Sequence, residues 1–334
     1  NGLPDTSNIS PVATNFGYFG GGYTSGLLVA VDRIDYSSDT TAAAPKGPLT
    51  LGRSDLGATS NASFGYFAGG TSPKRSTVDR IDYGNDTATA VAKGPLSIAI
   101  GYHGAAGNSS FGYFAGGGSP KVSTVNRIDY GNDTATAVAK GPLSAVRSYL
   151  TATGNQNFGY FGGGENKSIV ERIDYTSDTG TASPKGPLST NTKVLSATGN
   201  SDFGYFGGGG TPSAYFSTIN RIDYSNDTAT AVAKGPLSAA VKYIAATGNS
   251  SFGYFGGGFN PAISGSRRST VDRIDYANDT ATASPKGPLS AVKNSLAATS
   301  AASNALPTNT GLLTLLFSAS DPRDNVFPQG TDFG

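Results

Sequence analysis

Phe64-Gly65-Tyr66-Phe67-Ala68-Gly69-Gly70, then Arg80-Ile81-Asp82-Tyr83, then Lys93-Gly94-Pro95-Leu96: these three strings recur in this order along the chain. The first begins at Phe16, Phe64, Phe111, Phe158, Phe203 and Phe252, with spacings of 48, 47, 47, 45 and 49 residues. The second begins at Arg33, Arg80, Arg127, Arg172, Arg221 and Arg273, and the third at Lys46, Lys93, Lys140, Lys185, Lys234 and Lys286. Arg to Lys is 13 residues in every copy and Lys to the next Phe is 18, whereas Phe to Arg runs 17, 16, 16, 14, 18 and 21. All length variation therefore falls in one connection, just after the paired glycines.

Each unit contains four short runs of strand character bounded by Gly, Pro, Asn and Asp. Around the second copy they are Phe64 to Ala68, Val78 to Tyr83, Ala88 to Ala92 and, belonging to the next unit, Leu96 to Tyr102. Four strands per forty-odd residues, six times over, predict an all-β, six-bladed β-propeller of four-stranded antiparallel blades. The chain starts in mid-blade at residue 13, after an N-terminal arm (1–12), and the propeller ends near residue 300. Leu289 to Ala298 supply an inner strand with no partner after it. They are expected to enter the first blade beside Phe16 to Phe19, leaving no free seam.

An aromatic strand ending in Gly-Gly, a strand ending in Tyr, a polar turn and a small-residue strand beyond a Pro-containing loop together resemble the kelch family over roughly residues 13 to 299. The resemblance implies a propeller scaffold. The wording of the repeats also resembles repeat proteins of marine bacteriophages, which implies a component of the virion or of an appendage.

Composition narrows the chemistry. The 334 residues include 47 glycines, no cysteine, methionine or tryptophan and a single histidine, His103. Disulfides, thiolate nucleophiles, Cys-ligated metals and multi-His clusters are excluded. With 24 basic and 23 acidic side chains the net charge is +1, so no global field marks a nucleic-acid binder. No apolar run approaches the ~20 residues that span a bilayer, so no membrane insertion is expected.

The charged repeats read as structure. Arg33 and Asp35 share a strand face, and six symmetric copies point to hydrogen-bonded charge pairs between blades. Asp39, Asp86, Asp133, Asp178, Asp227 and Asp279 read as turn formers rather than calcium ligands, and the sequons at Asn85, Asn132 and Asn226 as turn chemistry. His103, with Val194 and Tyr243 taken as its counterparts, reads as a core or channel-wall residue. No acid–base or nucleophile constellation stands out from the repeat, so no enzyme activity, metal or cofactor is expected.

In antiparallel blades the long loops and the repeated Lys would share one face, and the Asp turns the other. Such a disc would stack head to tail. The sequence thus points to a non-enzymatic structural protein, extracellular or on a virion surface, self-assembling as a fibre or appendage subunit. The tail (301–334) would contribute Leu312, Leu313, Leu315, Leu316 and Phe317 to a subunit contact. The alternative is an adhesin that binds a glycan or anionic cell-surface polymer through Tyr23, Lys74, Arg75, Tyr215, Phe216, Phe259, Arg267 and Arg268 on the variable loops.

Overall fold

The computed structural model describes residues 15–262 and 266–302. Among the described residues, twenty-four strands, β1 to β24 in chain order, form six four-stranded antiparallel sheets. The second blade shows the plan: β4 (Gly57–Ser60) at the axis, then β5 (Phe64–Ala68), β6 (Val78–Asp82) and the outer β7 (Val91–Lys93). The first blade is β1 (Phe16–Gly20), β2 (Val31–Asp35) and β3 (Ala44–Lys46), completed at the axis by β24 (Ala297–Ser300), whose Ala297 pairs with Gly20 and Ser300 with Gly17. The described residues thus form a closed six-bladed propeller whose first and last strands share one sheet. The N-terminal arm and the apolar tail residues Leu312 to Phe317 lie outside the described residues.

The inner strands differ from the sequence expectation. Leu96 to Tyr102 is not a strand; the axial strand of the third blade is β8 (Gly104–Gly107), and closure uses Ala297–Ser300 rather than Leu289 to Ala298. Leu96 and Ile100 are instead buried between blades, beside Tyr66, Phe114 and Ile128. Six strands converging on one axis leave room only for Gly, Ala, Ser and Thr, so the large apolar residues sit in the connection that enters the strand. The outer strand is likewise shorter than Ala88 to Ala92, because Ala90 is core, and Tyr83 begins a 3-10 turn instead of ending a strand.

Aromatic residues build the core from both faces of each second strand. Tyr66 packs toward the third blade and Phe67 toward the first, and both are fully buried. The paired glycines then lock blades together: Gly22 has φ of +101°, and a Cβ there would lie 2.8 Å from the Asn294 carbonyl, so only glycine fits while its N–H donates to Arg53 O of the next blade. Gly47 is equally constrained, since its Cβ would meet Ala88 O at 1.8 Å.

The repeated charges are spent between blades. Asp86 accepts from Tyr18 Oη (2.9 Å), Arg33 Nη1 (2.8 Å) and Lys46 Nζ (3.1 Å), all of the preceding blade. The pattern runs round the ring and closes with Tyr254, Arg273 and Lys286 on Asp39. Inter-blade pairing of the Arg is as expected, but its partner is the turn aspartate of the next blade, while Asp35 caps the 3-10 turn by accepting from Ser37 N. The sorting of Lys and Asp onto opposite free faces is corrected by the same contacts. The lysine side chains are only 13–14% exposed and the aspartates 7–10%, so neither series presents a charged face.

Nearer the axis, in four of the blades the tyrosine of the Arg-Ile-Asp-Tyr string meets a threonine of the preceding blade's inner strand. Tyr36, Tyr83, Tyr130 and Tyr276 pair with Thr247, Thr299, Thr59 and Thr198. Tyr175 faces Ala106 instead, and its buried hydroxyl has no partner. Ala106→Thr should supply the missing acceptor and raise the unfolding free energy by about 1 kcal/mol, read from denaturant midpoints. An unchanged or lowered midpoint would contradict the assignment.

Candidate functional site

The axis carries a second cyclic device. Nine residues before the second to sixth Phe-Gly-Tyr-Phe strings, and at the corresponding place before β24, stand Asp55, Tyr102, Tyr149, Val194, Tyr243 and Ser295, all with left-handed φ of 54–61°. Each donates its backbone N–H to its counterpart in the preceding blade: Asp55 to Ser295 (2.8 Å), Tyr102 to Asp55 (2.9 Å), Tyr149 to Tyr102 (2.8 Å), Val194 to Tyr149 (3.0 Å), Tyr243 to Val194 (3.0 Å) and Ser295 to Tyr243 (2.9 Å). Left-handed backbone costs an ordinary residue roughly 1–2 kcal/mol, which a closed ring of six amide bonds offsets. The result is a rigid rim around the axial channel.

These six residues line the mouth, and the small residues of the inner strands line the wall below, around a cavity of about 130 Å3 open to the centre of a water-sized sphere. Tyr102 and Tyr149 lie with centroids 4.3 Å apart. Asp55 accepts from Thr71 Oγ1 (2.8 Å) and Ser54 Oγ (3.0 Å), and burial raises its carboxyl above the ordinary value.

The variable loops stand directly on this rim. Lys242 precedes the rim residue Tyr243, donates to Thr211 O and lies 4.1 Å over the Tyr215 ring. Tyr215 is 6.4 Å from Phe259, Arg267 lies 6.0 Å over Phe259 and 5.0 Å over Tyr23, and Tyr23 N donates to Asn294 O. A continuous run of three rings and two cations therefore crosses blades five, six and one, with Lys242, only 5% exposed, at its inner end. Burial and the nearby Lys193 lower the pKa of Lys242.

Of the residues singled out from sequence, the structure brings together Tyr23, Tyr215, Phe259 and Arg267. Lys74 and Arg75 stand apart on the second blade; Phe216 is half-buried, and Arg268 bonds Thr270 Oγ1 and borders a different cavity. Sequence reasoning missed Lys242, Asn294 and the rim. The available signal was variability: within an interval of constant length, the rim position alternates among Asp, Tyr, Val and Ser.

His103 lies in the channel wall, but its counterparts are Leu56, Leu150, Leu195, Ile244 and Leu296, one residue beyond the Val194 and Tyr243 taken from sequence. It is a core position. Among the described residues no three His, Cys, Asp or Glu side chains come together as a metal cluster, and no helix is long and apolar enough to cross a membrane.

No known sequence family and no curated protein matches this chain. Solved structures do match. One, titled "Structure of YjhT", superposes with a TM-score of 0.62 at 11% identity, covering 75% of this chain and 88% of that one. At that identity the likeness shows the fold alone.

Proposed function

We propose that the protein is a non-enzymatic binding ring that holds a glycan or anionic polymer across the channel mouth, on the ridge from Lys242 to Tyr23. The observation that carries this reading is the run of rings and cations on a rigid rim: aromatic faces stack on sugars, the part-exposed Arg267 attracts acidic groups, and the buried Lys242 holds the Tyr215 ring in place. Tyr23 is 37% exposed, so its ring is open to such a ligand. Around the rim, Asp55 of the second blade is occupied with Ser54 and Thr71, and Glu165 of the fourth with Lys121 and Ser148, which suits binding better than proton transfer. The kelch-like wording of the repeats and their likeness to phage virion proteins accord with an adhesin placed extracellularly or on a virion surface.

Stacking as a fibre through oppositely charged faces loses its basis, because the repeated Lys and Asp are paired within the ring. What remains of that reading is the terminal tail. Binding is tested by titrating the full chain with sulfated, carboxylated and neutral polysaccharides. Arg267→Ala and Tyr215→Ala should each weaken binding about tenfold, equivalent to about 1.4 kcal/mol, and the Arg267 contribution should shrink at high salt. Full affinity in a Tyr215→Ala/Phe259→Ala double variant, or filaments without polysaccharide binding, would overturn the proposal.

A further inference from the structure

Comparison of the six blades at two coupled positions exposes a site of a different kind. One position lies in the connection entering the inner strand: Arg53, Ile100, Arg147, Thr192, Val241 and Lys293. The other is the second residue of the third strand: Asp79, Asn126, Glu171, Asn220, Asp272 and Asp32. Where the first is cationic the second is acidic, and the pairs Arg53–Asp79, Arg147–Glu171 and Lys293–Asp32 are almost completely buried. Where the first is Ile100 or Thr192, the second is a neutral asparagine. The sixth blade breaks the rule, because Val241 stands opposite Asp272.

Asp272 is 6% exposed. Its Oδ2 accepts from the Ser238 N–H and hydroxyl, both at 2.9 Å, but Oδ1 has no partner. Burial raises its carboxyl, and the Ser238 hydrogen bonds and the charge of Arg268 offset only part of that cost. Beside it is a cavity of about 10 Å3 open to the centre of a water-sized sphere, lined by Val241, Phe255, Gly257, Arg268, Thr270 and Asp272, among others.

The sister blades show what this space is shaped to receive. The Arg53 guanidinium donates to the carbonyls of Thr77 (3.0 Å) and Phe67 (3.0 Å) besides Asp79. Arg147 donates to the carbonyls of Gly163 (2.8 Å), Ile169 (3.2 Å) and Phe161 (3.2 Å) besides Glu171. The counterparts of those carbonyl residues in the sixth blade are Phe255, Gly257 and Thr270, all at the cavity. We propose that this pocket binds a monovalent inorganic cation, Na+ or K+, between Asp272 Oδ1 and these backbone carbonyls, in the place where three sister blades put a side-chain cation.

Charge and size select that ligand. Each sister site balances one carboxylate with one positive charge, and a divalent ion would leave an excess charge in a confined, largely buried space. The cavity admits a single water-sized sphere, which excludes organic cations such as choline. Oxygen ligands suit hard cations. Arg268, whose Nη2 donates to Thr270 Oγ1 at 3.1 Å, is the neighbouring cation that could compete for Asp272.

The test is thermal unfolding of the full chain in NaCl or KCl against choline chloride at equal ionic strength, about 0.15 M. The wild type should melt about 2 °C or more higher in the small cations. Asp272→Asn, which copies the third and fifth blades, should fold and lose this difference. Val241→Lys, which copies the first blade, should also lose it, and in choline should match the wild type in NaCl. Crystals soaked in Rb+ should show an anomalous peak beside Asp272 Oδ1. Equal melting of the wild type in all three salts, an undiminished response in Asp272→Asn, or an Arg268 guanidinium seated on Asp272 would each overturn the proposal.

Discussion

Replacing Asp178 with alanine is expected to lower the unfolding free energy by about 3 kcal/mol, measured by urea denaturation near neutral pH. One carboxylate there ends three side chains of the neighbouring blade: Tyr113 Oη at 2.9 Å, Arg127 Nη1 at 2.8 Å and Lys140 Nζ at 3.1 Å. Its loss leaves two cations beside a void. Breaking a buried pair costs about 3–5 kcal/mol, and the 23% exposure of Arg127 lets water relieve part of that, so the lower end applies. A loss under about 1 kcal/mol would show that the cluster behaves as an ordinary surface pair.

The same carboxylates tie stability to pH. For Asp178, burial alone would raise the carboxyl, but hydrogen bonds from Tyr113 and Lys140 and the charge of Arg127 together hold it below the ordinary value; Asp133, Asp227 and Asp279 are lowered in the same way. A carboxyl depressed in the folded state contributes its stability in full above the unfolded pKa of about 3.9. That contribution is lost as pH falls through the lower folded value. Acid should therefore loosen all four inter-blade junctions together, below about pH 4.

Why such junctions are hard to read in a sequence follows from the repeat itself. Arg33 lies 53 residues from its partner Asp86 and only six from Asp39, yet the repeat offers both aspartates in the same wording. Identical copies make a contact within a blade and one between blades look alike. The blade count and ring closure were legible because rigid spacing between anchors needs no knowledge of contacts. Inner strands escaped because Gly104 to Gly107 has no strand-forming side chain, whereas Leu96 and Ile100 just before it have the apolar character of one; crowding at the axis overrode propensity. At the mouth, Tyr23, Tyr215, Phe259 and Arg267 were legible as loop variation, but Lys242 and the rim tyrosines lay inside the constant interval. Only the folded ring shows that they belong to the same surface.

His103→Leu should stabilise the ring, by about 2 kcal/mol at pH 7 and by more as pH falls. The position belongs to leucine or isoleucine in the other five blades, and His103 is 6% exposed, edge-on to Phe114 at 5.8 Å, with neither ring nitrogen hydrogen-bonded. Leaving a buried polar group unpaired costs about 1–3 kcal/mol, which leucine removes at similar volume. Burial and the nearby Arg53 charge lower the imidazole pKa to about 4, and the Ala68 carbonyl offsets only part of this without forming a hydrogen bond of normal geometry. Between the unfolded value of about 6.5 and the folded value, the unfolded chain takes up a proton that the folded ring refuses, so wild-type stability must fall as pH is lowered through that window. At about 1.4 kcal/mol per unit of difference the loss approaches about 3 kcal/mol near pH 4. The variant lacks the group, so its stability should stay level from pH 6.5 down to the onset of carboxylate protonation, and the gap between the two proteins should widen to about 5 kcal/mol. Urea titrations at several pH values across this window measure it directly. Parallel curves for the two proteins would mean that His103 takes up its proton while folded, and with it that the wall of the channel admits water at that point.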